Sequence, residues 1–179
     1  SKPRQLPPEP DQRPPPALSV VECAGFEDYR LLDSGNGRKL ERFGKIVVDR
    51  PEPQALWQPR AGETVWSGAH ATFSGDDDAE SGRWRHSKPV PESWPIRLGG
   101  GVPLTCRLSA FRHLGVFPEQ MPHWQWMLAA LKAQTGPGAP PRPRVLNLFA
   151  YTGAASLIAA RAGAEVTHVD ASKKAVAWA

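Results

Sequence analysis

The stretch VLNLFAYTGAASLIAARAGAEVTHVDAS, residues 145–172, orders its residues as an apolar run, a tight turn, an alanine-rich segment, a second apolar run and an acid. Val145 to Leu148 reads as a buried parallel strand. Ala154 to Ala162 reads as a helix, with Gly163 as its C-cap glycine. Glu165 to Val169 reads as a second strand. A strand-helix-strand unit holds its ligand outside the carboxyl ends of its strands. The turn Phe149-Ala150-Tyr151-Thr152-Gly153 lies at that end, where its amides and those of the helix start can donate to an anionic group. Asp170 comes 17 positions after Gly153, near the ~20-residue spacing at which an acid accepts from ribose hydroxyls. The same acid could instead cap the helix that Ser172 starts.

The glycine-rich fingerprint of dinucleotide sites is absent. Gly153 alone survives, and Phe149 and Tyr151 stand where glycines might. A pyrophosphate needs close backbone approach, which glycines permit. The aromatics therefore argue against NAD or FAD. They suit a ligand with a small anionic end, such as an amino-acid carboxylate, joined to a ribose and a base. As packing residues under the helix they would need no ligand at all.

These residues resemble motif I of the class I S-adenosylmethionine-dependent methyltransferases. More narrowly, VLNLFAYTGAAS is similar to the branch related to bacterial 23S rRNA cytosine-C5 methyltransferases, in which an Asn-x-Phe-x-Tyr-Thr-Gly form replaces the glycine-rich one. EVTHVDAS resembles motif II of that family. HLGVFPEQMPHW upstream resembles the stretch before the methyltransferase core, matched at Gly115, Phe117, Glu119 and Gln120. The resemblance runs from about Arg112 to Ala179. It implies that Asn147, Phe149, Ala150, Tyr151, Thr152 and Gly153 wrap the methionine part of S-adenosyl-L-methionine. Asp170 would take the ribose hydroxyls, with Ala171 and Ser172 beside the adenine, and Phe117 and Gln120 would line the near wall. Asn147 stands where many relatives carry an acid, so it brings no charge to the cofactor's ammonium end.

The implied fold class is α/β: a Rossmann-like class I methyltransferase core, of which only the first βαβ is present, preceded by a small β-rich domain. The expected division is a Pro-rich lead over 1–17, a β-rich domain over 18–117, a helix and linker over 118–144 and the start of the cofactor-binding domain over 145–179. A complete core of the family carries more strands and a Pro-Pro motif after its fourth strand. The Pro-Pro pairs here, Pro7-Pro8, Pro14 to Pro16 and Pro140-Pro141, follow no predicted core strand. The expectation is an N-terminal fragment with half of the cofactor site, no catalytic motif and an apolar open sheet edge.

Seven prolines among the first 17 residues make an unstructured lead or a proline-motif ligand. YRLLDSGNGRKLERF predicts two strands around Ser34-Gly35-Asn36-Gly37, since Gly and Asn tolerate positive φ. Lys45 to Val48 predicts a third. ETVWSGAHATF and SGRWRHSKPV predict two more, and WPIRLGGGVPLTC a hairpin around Gly99-Gly100-Gly101. Arg83 to Lys88 mixes base and aromatic, as a nucleic-acid patch or a charged strand edge would. Gly75 to Glu80 reads as an acidic solvated loop. Pro122 to Gln134 predicts a helix with Trp124, Met127, Leu128 and Leu131 on one face. Trp126 must diverge from Trp124, and TGPGAPPRPR breaks that helix.

Two cysteines far apart, Cys23 and Cys106, exclude a CxxC zinc site and a disulfide framework and fit a reducing compartment, hence the cytoplasm. Cys106 alternates with apolar neighbours and reads as a small buried hydrophobe. His113 and His123 are isolated and read as structural. No apolar run approaches the ~20 residues of a membrane helix. A net charge of +4 suits a nucleic-acid partner without requiring one. The expected function is methyl transfer to RNA, and to rRNA in particular. The alternative is a non-catalytic RNA-binding or ribosome-assembly module on the same fold.

Overall fold

The computed structural model describes residues 19–75, 82–134, 138 and 142–179. The Pro-rich lead, the acidic loop and most of the TGPGAPPRPR linker lie outside the described residues.

Asn36 and Gly37 take φ of 51° and 73°. Two such residues form the turn that best matches strand twist. They join β1 (Tyr29–Gly35) to β2 (Arg38–Phe43) with Gly35 opposite Arg38. A second tight turn at Gly44 and Lys45 leads to β3 (Ile46–Pro51), which runs three residues beyond the predicted strand. ETVWSGAHATF departs from its expected single strand. Glu63–Trp66 forms a helical turn, α1, and only Ala71–Ser74 forms a strand, β4. The cause is Asp33, whose carboxylate accepts from the Arg60 and Ala61 amides and from the Trp66 indole, and so folds this segment back on β1. That crossover makes β4 parallel to β3, and β5 (Arg83–His86) closes the sheet in the order β1-β2-β3-β4-β5.

Edge strand β5 turns Trp84 inward onto Phe73 and leaves Arg83, Arg85 and His86 exposed. The segment is thus a charged strand edge. β6 (Trp94–Arg97) and β7 (Pro103–Cys106) form the hairpin expected around the three glycines.

α2 (Met121–Ala133) opens on a proline and buries Trp124 and Leu131, while Trp126 points to solvent. β8 (Arg144–Leu148) and β9 (Glu165–Val169) pair in parallel, with α3 (Ala154–Arg161) between them in sequence. α3 ends as expected. The Gly163 amide donates to the Ala160 carbonyl and the Ala164 amide to the Ala159 carbonyl, with Gly163 at φ 91°. α4 (Lys173–Val176) follows, with the Ser172 hydroxyl accepting from the Ala175 amide as its N-cap.

One expectation fails here. β8 is not buried on both faces. Val145 and Asn147 face α3, but Leu146 and Leu148 are 62% and 54% exposed. Among the described residues no element covers that second face. The core is continuous from the β-rich region into α2 and α3: Phe26, Phe43, Ile96, Leu114, Val116, Trp124 and Ile158 belong to one buried cluster. Burying each such side chain contributes about 1.5–3 kcal/mol. No helix among the described residues is long and apolar enough to cross a membrane.

Candidate functional site

The turn after β8 carries two of the three non-glycine residues with positive φ among the described residues. Phe149 and Tyr151 take φ of 55° and 51°, and Gly153 takes 90°. A bulky side chain in this region is an outlier, and such residues cost of order 1–3 kcal/mol each. The aromatics thus occupy the conformation that a glycine would supply. They do not force the turn open.

Neighbouring groups hold the turn. The Ala150 amide donates to the Val169 carbonyl at 3.0 Å, and the Gly153 amide to the Ala150 carbonyl at 3.0 Å. The Tyr151 amide donates to Asp170 Oδ2 at 2.8 Å. Thr152 is buried, and its hydroxyl donates to the Gly115 carbonyl. Gly115 itself sits at φ 102°, and a Cβ there would lie 2.7 Å from the Trp178 ring. The segment before α2 is therefore locked to the turn.

Asp170 is half-buried at the carboxyl end of β9. Its second oxygen accepts from the Ser172 amide at 2.7 Å. Hydrogen bonds from the Ser172 and Tyr151 amides hold its carboxyl below the ordinary aspartate range. The two sequence readings of Asp170 coexist: it starts the next helix and presents an ionised acid at the strand end.

A cleft of about 340 Å³ opens between this turn and the segment 115–124. Seven of the predicted residues line it: Phe117, Gln120, Asn147, Phe149, Ala150, Tyr151 and Thr152. Gly153 sits behind them as the N-cap of α3. Asp170, Ala171 and Ser172 do not line it. They lie past Tyr151, at the end of the neighbouring strand; Asp170 is half-buried, and Ala171 and Ser172 are exposed. Phe149 is 90% exposed at the cleft edge. Tyr151 packs on Phe117 at 5.1 Å between ring centres, and burial raises its hydroxyl pKa.

Two predicted side chains are already engaged. Asn147 Nδ2 donates to Ser156 Oγ at 2.9 Å, and that hydroxyl shares a hydrogen bond with His168 Nδ1 at 3.0 Å. Gln120 Oε1 bonds His123 Nδ1 at 2.8 Å, a structural role for His123. Val116, Trp124, Leu148, Ala154 and Ala155 also line the cleft and were not among the predicted site residues. Trp124 lies one helical turn after Gln120, which is the spacing that could have found it. Cys106 is buried, and burial pushes its thiol up to about 12, so it carries no ready nucleophile.

No family model and no curated protein matches the chain. Solved structures do. A SAM-dependent methyltransferase of Agrobacterium tumefaciens aligns over 86% of this chain at 54% identity, with a TM-score of 0.77. A Streptococcus mutans protein described as a SAM-dependent methyltransferase aligns over 84% at 20% identity, with a TM-score of 0.61. SMU.776, described as a methyltransferase and complexed with SAH, aligns over 84% at 20% identity, with a TM-score of 0.59. The chain spans 47% of the length of the first of these and 40% of the other two. Over the part it spans, this chain has the fold of an S-adenosylmethionine-dependent methyltransferase.

Proposed function

We propose that this chain forms the cofactor-binding part of an S-adenosylmethionine-dependent methyltransferase that acts on RNA, with rRNA as the favoured acceptor, in the cytoplasm. The observation that carries the reading is the strained turn 149–153, clamped by Asp170 at the mouth of a cleft. Backbone strain persists where the surroundings over-determine it, and such places are enriched in ligand sites.

The residues present fit the cofactor. A cleft of about 340 Å³ is within the ordinary range for small-molecule sites. The amides of the first turn of α3 are unpaired by helix geometry and suit a carboxylate. Phe117 and Tyr151 offer apolar walls. Asp170 is ionised and partly open to solvent at the strand end, where ribose hydroxyls can donate to it. When bound, the cofactor supplies a sulfonium-activated methyl group. Everything assigned to this chain is binding and orientation, and orientation is the main requirement for such transfer. Phe149, Ala150, Tyr151 and Thr152 fix the turn, Asp170 ties it to β9, and Gln120, the N-cap of α2, and Trp124 within α2 close the cleft. The acceptor base is held by residues outside those assigned here.

The basic balance of the chain supports RNA, as does the resemblance of residues 112–179 to rRNA methyltransferases. Two free thiols, Cys23 and Cys106, fit a reducing compartment. The test is transfer of labelled methyl from S-adenosylmethionine into RNA by the full-length protein. Incorporation into rRNA that Asp170→Ala reduces by at least tenfold is the expected result. Binding of the cofactor with no transfer to any RNA would move the acceptor to another class.

A further inference from the structure

Past Tyr151 from the cofactor cleft lies a second groove, of about 500 Å³, between residues 107–113 and α4. Its lining carries Arg107, Arg112 and Lys174, with no acidic residue, and it includes Ser172, the residue expected beside the adenine. None of the three forms an ion pair among the described residues. A larger groove, of about 760 Å³ beside β1, differs in kind. It mixes Arg30 and Lys39 with Glu22, Glu52 and Glu119, and Lys39 is already paired with Glu52 at 2.8 Å.

The cationic groove also carries aromatic rings. The Arg107 guanidinium lies 3.9 Å over the centre of the Trp178 ring. Stacking holds it flat and leaves its N–H edge for an acceptor. Phe111 is 41% exposed, a large apolar side chain left in a charged surface.

The wall is pre-ordered. The Trp84 indole donates to the Ser109 carbonyl at 2.8 Å, and the Gly82 amide to the Ala110 carbonyl at 2.8 Å. Buried Arg50 donates to the Arg112 carbonyl at 3.1 Å. The same hydrogen bonds attach β5, with its exposed Arg83 and Arg85, directly to this wall.

We propose that this groove binds a segment of single-stranded nucleic acid. One base stacks on Phe111, and flanking phosphates pair with Arg107, Arg112 and Lys174. Cations without an ion-pair partner beside an exposed aromatic ring suit a single strand, because every base has a stacking face and every linkage a charge. An acidic protein surface would use the cations and leave Phe111 without a partner. The inference deepens the proposed function and rests on it: Tyr151 lines both grooves, so a strand held here passes beside the cofactor cleft.

The test is fluorescence anisotropy of a short labelled oligouridylate with the full-length protein, over a series of salt concentrations. S-adenosylhomocysteine is titrated in parallel. Arg112→Gln combined with Lys174→Gln should flatten the salt dependence by about 0.7 per charge removed. Phe111→Ala should weaken binding roughly fivefold or more with the salt slope unchanged. S-adenosylhomocysteine affinity should be the same in Phe111→Ala, whose side chain does not line the cofactor cleft. Oligouridylate binding that none of these changes alters would overturn the inference. So would polyglutamate competing as well as RNA. If the wild type failed to bind S-adenosylhomocysteine while RNA binding still responded to the variants, the cofactor reading would fall and the groove would stand.

Discussion

The carboxylate of Asp170 accepts the backbone amide of Tyr151 at 2.8 Å. It thereby ties the end of β9 to a turn in which two aromatic residues hold left-handed backbone angles. The acid that would meet a ribose is thus also the clamp that shapes the turn against the cofactor.

The first consequence is a pH dependence. The carboxyl is held below its ordinary value by amides from Ser172 and Tyr151. A group lowered on folding contributes stability above its unfolded pKa of about 3.9 and loses it as pH falls through the folded value. Order in the turn should therefore be full at neutral pH and decay only below about pH 4. The Tyr151 amide resonance, followed by NMR against pH, checks this. A turn already loosened at pH 6 would contradict it.

The strained aromatics give a second prediction. Phe149 is nearly fully exposed, so Phe149→Gly removes little packing. Strain relief of order 1–3 kcal/mol should outweigh the added chain entropy of glycine, about 0.4–1 kcal/mol. Chemical denaturation should show a variant about 1 kcal/mol more stable. If Phe149 covers the ligand, affinity for S-adenosylhomocysteine should fall at the same time. A loss of stability would mean that the backbone there is unstrained.

Gly115→Ala tests the lock between α2's approach and the turn. Its φ is positive and its Cβ would meet the Trp178 ring. A cost of about 1–3 kcal/mol in thermal unfolding is expected. Thr152→Val keeps the shape of the buried side chain but leaves the Gly115 carbonyl unpaired. It should cost about 1–3 kcal/mol as well. Tolerance of both changes would show that the two segments are not coupled.

The β-rich region has its own test. Arg50 makes two hydrogen bonds to Glu41, at 2.5 and 3.0 Å, both residues are buried, and Tyr29 donates to the same carboxylate. Removing one partner leaves a buried charge, so Arg50→Met alone should cost about 3–5 kcal/mol. Adding Glu41→Leu should restore most of it. Equal loss in the single and double variants would argue against the pair.

These cases show what was legible beforehand. The Asn36-Gly37 turn, the Gly163 cap and the Ser172 cap are local chemistry, and the structure carries all three. The cluster of cleft residues was legible because the βαβ order puts one turn at one sheet end. Glu41 and Arg50 were not, since two charges nine residues apart look solvated until β2 and β3 pair. The left-handed angles of Phe149 and Tyr151 run against residue preference and are enforced by Asp170, the Val169 carbonyl and Gly115. The helical turn at Glu63 depends on Asp33, thirty positions earlier. The exposed face of β8 reflects which elements cover it, and no strand reveals that about itself.

Calorimetric titration of S-adenosylhomocysteine into the full-length protein, beside Asp170→Ala, shows whether the chain binds the cofactor through Asp170. One site per chain and a loss of at least tenfold in affinity in the variant are expected. No binding by the folded wild-type protein, or equal binding by the variant, would contradict it.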